Sequence, residues 1–336
     1  MIEENAMVPI RQFIRYKLRC NKVELSHLYF ISYNSRDFLC FCSPKRVGLM
    51  RSNYIEDEYG VLYTRGGSIL IGYNKEVFRC SDYRIKDGVV KIAANAFNNC
   101  LSLKSVYIPD SVADDEGSIF EGCKSLEEAR LSANLRNPDI AMFCGCSSLH
   151  RVELQEGMES IGENMFCGCE SLRNVNLPST IKILGGDSFC SSGLDNISLP
   201  EGLGYIGADS FINCKNLRSL TIPSSVDFIG PWVVQGHKDF DGVICKSAMF
   251  RVENEALISN RDNSLLACWS KSAEYHLPNS VKNIRSVCNS QIEILYIDSP
   301  IDEIGFEAFI NCPSLQKVVY NATVRTYKSM NWKRFR

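Results

Sequence analysis

Hydrophobic positions along this chain recur on two periods at once. Over short stretches they alternate, as in Leu172-Arg173-Asn174-Val175-Asn176-Leu177, where Val175 and Leu177 fall on one face of an extended segment. Over longer distances the same stretch returns about every 23 residues. Residues 96–108 read AFNNCLSLKSVYI, 143–154 FCGCSSLHRVEL, 166–177 FCGCESLRNVNL and 211–222 FINCKNLRSLTI. The shared frame is Phe-x-x-Cys-x-x-Leu-x-x-Val-x-Ile/Leu. Its phenylalanine column is Phe97, Phe120, Phe143, Phe166, Phe189, Phe211 and, after an interruption, Phe309. Its leucine column is Leu103, Leu126, Leu149, Leu172, Leu194, Leu217 and Leu315. Pro109, Pro178, Pro200 and Pro223 follow the extended segment directly, where a residue without an N–H ends a ladder. Ile161-Gly162 and Ile206-Gly207 then suit a turn. The Phe-x-x-Cys segment is expected to be a short helical turn returning the chain to the next strand.

One such unit cannot bury its apolar side alone, whereas stacked copies bury a continuous core. The expected fold is therefore an α/β repeat, a solenoid of short parallel strands and short helical turns, capped at both ends. Rungs stacked about 4.8 Å apart would carry about nine units over roughly 40 Å. All seven phenylalanines of the column are expected in a single file inside it. A repeat of this kind replaces the prior of about two domains that 336 residues would suggest at ~150 residues each.

Ile304-Gly305-Phe306-Glu307-Ala308-Phe309-Ile310-Asn311-Cys312 carries the fullest copy of the frame. The motif resembles the BspA-like leucine-rich repeats, whose consensus runs Ile-Gly-x-x-Ala-Phe-x-x-Cys-x-x-Leu-x-x-Val-x-Ile-Pro-x-x-Val, over roughly residues 54–336. Residues 54–73 (YIEDEYGVLYTRGGSILIGY) pair with 250–269 (FRVENEALISNRDNSLLACW), Leu62 against Leu257 and Tyr73 against Trp269. Each reads as two short strands around a polar turn and is similar to the family's hairpin-like variant units. The resulting plan is 1–53 an N-terminal cap or variant segment, 54–82 a hairpin-like variant repeat, and 83–230 regular leucine-rich repeats. Residues 231–283 form an irregular and hairpin-like part, 284–320 further leucine-rich repeats, and 321–336 a C-terminal cap. Residues 231–249 are expected to break the frame, and Ser192 stands near the cysteine slot of a rung one residue short. In the first segment, Ile14 to Cys20 alternates as a strand, although Ile10, Ile14 and Leu18 with Arg11, Arg15 and Arg19 also fit an amphipathic helix.

Composition narrows the chemistry. Thirty-seven Lys and Arg stand against 39 Asp and Glu, a balance that excludes the broad cationic footprint of a dedicated nucleic-acid binder. No run of about 18 apolar residues is present for a membrane-spanning helix. Met1-Ile2-Glu3-Glu4-Asn5 lacks a following apolar stretch of signal-peptide type, which suggests a cytoplasmic location, while the family resemblance suggests the cell surface. Sixteen cysteines are many, but Cys100, Cys123, Cys146 and Cys169 are spaced by 23, with Cys214 and Cys312 in the same slot further on. Even spacing of this kind is that of a buried small apolar column rather than a disulfide framework. These six thiols are expected to be unreactive in the folded chain.

Several motifs have a bland reading beside a sharp one. Gly202-Leu203-Gly204-Tyr205-Ile206-Gly207 matches a dinucleotide-binding fingerprint in letters, yet it falls in an inter-rung turn aligned with Gly157 to Gly162. Cys144, Cys167 and Cys190 repeat at the same interval and offer the ligand type of a thiolate metal site or a disulfide, beside the bland reading of a further apolar column. Trp232, His237, Asp239 and Asp241 cluster in the irregular part without the spacing of a catalytic motif. His150 falls at an exposed strand slot. Asn196 and Asn321 head glycosylation sequons by pattern only.

No catalytic residue, metal or cofactor is assigned. The candidate binding face is instead the outward strand row Tyr107, Arg130, Glu153, Asn176, Ser198 and Thr221, beside the column Ser105, Glu128, Arg151, Asn174, Asn196 and Ser219. Registered rows on a rigid sheet suit a protein or, alternatively, a glycan partner. The family resemblance implies a non-enzymatic, adhesion-type protein, typically bacterial. The alternative is an intracellular scaffold whose N-terminal segment gives specificity.

Overall fold

The structure is a computed structural model that describes residues 54–237, 239–287, 291–305, 308–309 and 312–321. These residues lie within one compact unit, Asn53–Arg336. The readings of the N-terminal segment 1–53 and of the C-terminal cap beyond residue 321 fall outside them.

Alternation in the sequence becomes a ladder of three-residue strands. Asp82–Arg84, Ser105–Tyr107, Glu128–Arg130 and Arg151–Glu153 pair in parallel, with Arg84, Tyr107, Arg130 and Glu153 in register. The middle residues Tyr83, Val106 and Ala129 point inward and are buried. Ser219–Ile222 and Gly242–Cys245 continue this side in parallel. A second side is built from two-residue strands, Ser160–Ile161, Ile183–Leu184, Tyr205–Ile206 and Phe228–Ile229, again parallel. Their following glycines are fixed by close approach. A Cβ on Gly185, Gly207 or Gly230 would lie 2.3–2.6 Å from backbone of the preceding rung, far inside ordinary contact.

The third side corrects the expected helical turn, because the described residues contain no helix. Each Phe-x-x-Cys segment closes as a hydrogen-bonded turn, with the Cys100 amide on the Phe97 carbonyl at 3.0 Å. Its phenylalanine amide bonds to the next rung: Phe97 to Ile119, Phe120 to Met142, Phe143 to Met165, Phe166 to Ser188 and Phe189 to Ser210, at 2.8–3.0 Å. The cause is a pair of left-handed residues in each rung, such as Asn95 and Asn99, Asn164 and Gly168, or Asp187 and Ser191. Asn, Asp and Gly take that conformation at least cost, and it ends any run of helical dihedrals. Backbone groups that a helix would satisfy internally are thereby satisfied between rungs.

Inside this frame the rings of Phe97, Phe120, Phe143, Phe166, Phe189 and Phe211 are fully buried. They stack at centroid distances of 5.4–5.8 Å and within 17° of parallel. Tyr73, from the N-terminal hairpin unit, begins the file by stacking on Phe97 at 5.6 Å. The expectation of seven phenylalanines in one file needs correction at its end, since Phe309 is half-buried and packs against a second core cluster.

Two further corrections concern the middle of the chain. Residues 231–245 keep the frame rather than breaking it. Trp232 and Gly236 take the left-handed positions, and Val234, His237 and Phe240 fill the phenylalanine, cysteine and leucine slots. The hairpin units have three antiparallel strands, not two: Tyr54–Glu56, Val61–Thr64 and Ile69–Tyr73, and then Phe250–Glu253, Ala256–Ser259 and Ser264–Cys268. The last strand of each passes to the next rung in parallel, Leu70 beside Ile92 and Leu265 beside Ile284. Ser264–Cys268 is buried throughout because it divides two cores, Leu266 and Ala267 packing with the first and Leu265 and Cys268 with the second. A strand covered on both faces loses its alternation.

Truncating a ring in the middle of the file leaves a cavity between two rungs that the backbone ladder prevents from collapsing. Phe166→Ala is expected to lower unfolding free energy by about 3–5 kcal/mol, measured by urea denaturation. A loss below about 1 kcal/mol would contradict the packing described.

Candidate functional site

Strand alternation turns Asp82, Ser105, Glu128 and Arg151 outward in one row and Arg84, Tyr107, Arg130 and Glu153 in the next. Together they line a shallow open depression of about 420 Å³. At its centre the Tyr107 ring lies between two guanidinium groups, Arg84 at 3.8 Å from its centroid and Arg130 at 4.6 Å. Such stacking keeps both cations ordered and attracted to the ring face. Arg130 is further fixed by two bonds to the Asp110 carboxylate, at 2.9 and 3.3 Å, and one to the Ile108 carbonyl at 3.0 Å. In return it holds the Asp110 carboxyl below its usual range. Arg151 bonds Glu153 at 2.7 Å and lies 3.7 Å from Glu128. Ser105 donates to Asp82 at 2.6 Å.

The six charged side chains of these two rows therefore cancel, Asp82, Glu128 and Glu153 against Arg84, Arg130 and Arg151. Their side chains are ordered, solvated and neutral in sum, a surface with little long-range attraction but a defined pattern of donors and acceptors.

Beyond Glu153 the row changes character. Asn176 and Ser198 are exposed but, like Asn174 and Asn196, lie outside the regular strands. Asn and Ser are weak strand formers, and the rung at Ser192 is one residue short. Thr221 resumes the row in register with Ile244, a large apolar side chain that is 61% exposed. After the second hairpin unit, His276 and Tyr296 occupy paired strands, their rings stacked at 4.3 Å, with His276 bonded to Asp298 at 2.7 Å. Arg84, Ile244, His276 and Tyr296 were not among the sequence candidates. The first two stand 23 residues from Tyr107 and Thr221 and were readable by offset. The last two follow rungs of a different length.

The motifs with a sharper chemical reading serve the coil instead. Gly207 makes the close rung contact described above, and the two-residue strand beside it opens no helix. His237 sits in the cysteine slot, its Nε2 at 2.7 Å from the Phe211 carbonyl and its Nδ1 at 3.3 Å from the Leu217 carbonyl. Cys123, Cys146, Cys169 and Cys214 donate to the equivalent carbonyls of Phe97, Phe120, Phe143 and Phe189 at 3.0–3.2 Å. Asp241 is exposed and paired with Lys271 at 3.1 Å, and Asp239 is exposed. The four residues of that cluster thus converge on no common centre. Cys144, Cys167 and Cys190 line up along the stack instead of surrounding a point. Among the described residues no group of three or more His, Cys, Asp or Glu is arranged to hold a metal ion.

A family model described as a BspA type leucine rich repeat region, in six copies, matches residues 74–194, 117–241 and 245–334. No curated protein matches the chain. Among solved structures, a leucine rich cell surface protein of Faecalibacterium prausnitzii is 20% identical over 81% of this chain and 77% of its own, with a TM-score of 0.54. A leucine-rich repeat protein of Bacteroides ovatus is 19% identical over 80% and 74%, with a TM-score of 0.42.

Burial of the cysteine column sets its reactivity, pushing the Cys123 and Cys214 thiols up to about 12 and Cys146 and Cys169 further in the same direction. Cys312 differs from the sequence expectation, being half-buried. In a timed thiol titration of the folded protein, Cys312 is expected to react well before Cys123, Cys146, Cys169 and Cys214. Equal rates would contradict the column.

His237 gives a second measurement. Burial pushes its imidazole down from 6.5 to about 4, so between those values the unfolded chain binds a proton that the folded chain refuses. Stability is full above that window and falls as pH drops through it. His237→Cys is expected to keep stability at neutral pH within about 1 kcal/mol while removing the acid slope, and His237→Ala to lose about 1–3 kcal/mol. Urea midpoints at neutral and mildly acidic pH read both, and identical losses for the two variants would contradict the shared slot.

Proposed function

Because the chain belongs to the BspA-type leucine-rich repeat family, we propose that it is a non-catalytic binding protein whose outward strand rows around Tyr107 receive a protein partner. The observation that carries this reading is the Arg84–Tyr107–Arg130 stack in a neutral, registered field of charges. Arg and Tyr are the side chains that contribute most at protein interfaces, and here they are held in place before any partner arrives, which lowers the entropic cost of docking. The same stack favours protein over glycan. Arg84 and Arg130 take the flanks of the Tyr107 ring, so a sugar face finds no bare aromatic surface on it. Residues Asn176, Ser198 and Thr221 extend the surface as polar rim, and Ile244 adds an apolar point at its far end. Surface display is in keeping with the name of the Faecalibacterium protein.

Site-specific photocrosslinking tests this. A benzoylphenylalanine at position 107 is expected to capture a partner that the same probe at Lys182, on the second side of the coil, does not. Reversing the central charges together, Arg151→Glu with Glu153→Arg, is expected to reduce capture at least about tenfold. Capture at position 182 alone, or indifference to the reversal, would overturn the assignment.

A further inference from the structure

The C-x-C pairs place a second line of sulfur on the molecule. Cys146 and Cys169 belong to the main core, whereas Cys144 and Cys167 form a small separate cluster with Ala141, against which Ile140 and Cys190 pack. The rungs are locked in register at this point. The Gly145 amide donates to the Cys167 carbonyl and the Gly168 amide to the Cys190 carbonyl, both at 2.7 Å. Three thiols therefore occupy one position on three successive rungs, at the strand spacing of about 4.8 Å and within the Cα separation of roughly 4.4–6.8 Å that a disulfide spans. The Cys167 thiol is within hydrogen-bonding reach of both neighbours. Access is graded along the line: Cys144 and Cys167 are 8% and 7% exposed, while Cys190 is half-buried. The inner cysteines are engaged elsewhere, each with a backbone carbonyl.

We propose that Cys167 and Cys190 form a reversible disulfide across adjacent rungs when the folded protein meets a low-molecular-weight disulfide such as oxidised glutathione. The Cys190 thiolate attacks one glutathione sulfur. That S–S bond breaks, one glutathione thiolate leaves, and Cys190 carries a mixed disulfide. Cys167 then attacks the Cys190 sulfur, its proton going to the second departing glutathione. Two protein thiols are oxidised and one glutathione disulfide is reduced to two thiols. The order of events follows from the geometry, because Cys190 is the most exposed residue of the three. The hydrogen bond it accepts from Cys167 acts in the same sense, favouring its thiolate while holding the Cys167 proton in place.

Folded full-length protein is treated with oxidised glutathione, remaining thiols are alkylated in denaturant, and peptides are mapped by mass spectrometry. A linked pair containing Cys167 and Cys190 is expected, lost on adding dithiothreitol, with Cys100, Cys123, Cys146, Cys169 and Cys214 alkylated in the same sample. Cys190→Ser, checked for an unchanged thermal midpoint, is expected to lose the crosslink and the uptake of glutathione at this cluster. Cys190 persisting as a glutathione adduct, a crosslink among the inner cysteines, or no reaction at either residue would overturn the proposal.

Discussion

Everything in this molecule follows from the need of each rung to satisfy its backbone on the rung beside it. On two sides the solution is a parallel ladder of strands only two to five residues long. On the third it is a turn whose amides reach forward to the next coil. That side could have been helical if its hydrogen bonds closed locally. Left-handed residues at fixed places prevent this, and the positions carry Asn, Asp, Ser or Gly in nearly every rung. Each slot then takes one residue type as the coil repeats: Phe into the file, Cys onto the carbonyl of the rung before, Gly where the backbones nearly touch.

Such regularity makes the two hairpin units more than insertions. Their antiparallel strands supply the first partner for a parallel run that would otherwise begin with unpaired groups. The second unit also closes one core and opens another, which is why its last strand, Ser264–Cys268, is buried on both faces. Meanwhile the outward row inherits the register of the ladder. Side chains 23 positions apart in sequence become neighbours about one strand spacing apart, and a tyrosine between two arginines becomes a stack.

Sequence reasoning reached the coil, its period and its buried columns because those slots each demand one chemistry, so the same letter returns. It failed where two structures accept the same letters. Phe and Cys three apart suit a helical turn and a hydrogen-bonded turn equally, and the discriminating signal was the Asn, Gly or Ser immediately before the cysteine. It failed again at Val234, His237 and Phe240, where three slots change residue type in one rung although the 23-residue offset and Gly236 persist. The strand of each hairpin unit missing from the sequence reading is the first, Tyr54–Glu56 and Phe250–Glu253, which is short and largely not buried and so leaves little apolar pattern. The charged pairing on the outward face appears only once register is known, since Arg84, Tyr107 and Arg130 meet through space and not along the chain.

Native-state hydrogen exchange tests the central claim most directly. If the third side is laced from rung to rung, the amides of Phe120, Phe143, Phe166 and Phe189 exchange slowly and together, in one cooperative step with the strand amides of Val106 and Ala129. If those phenylalanine amides exchange at loop rates, or if protection instead follows residues four apart within one segment, the coil is not held as described.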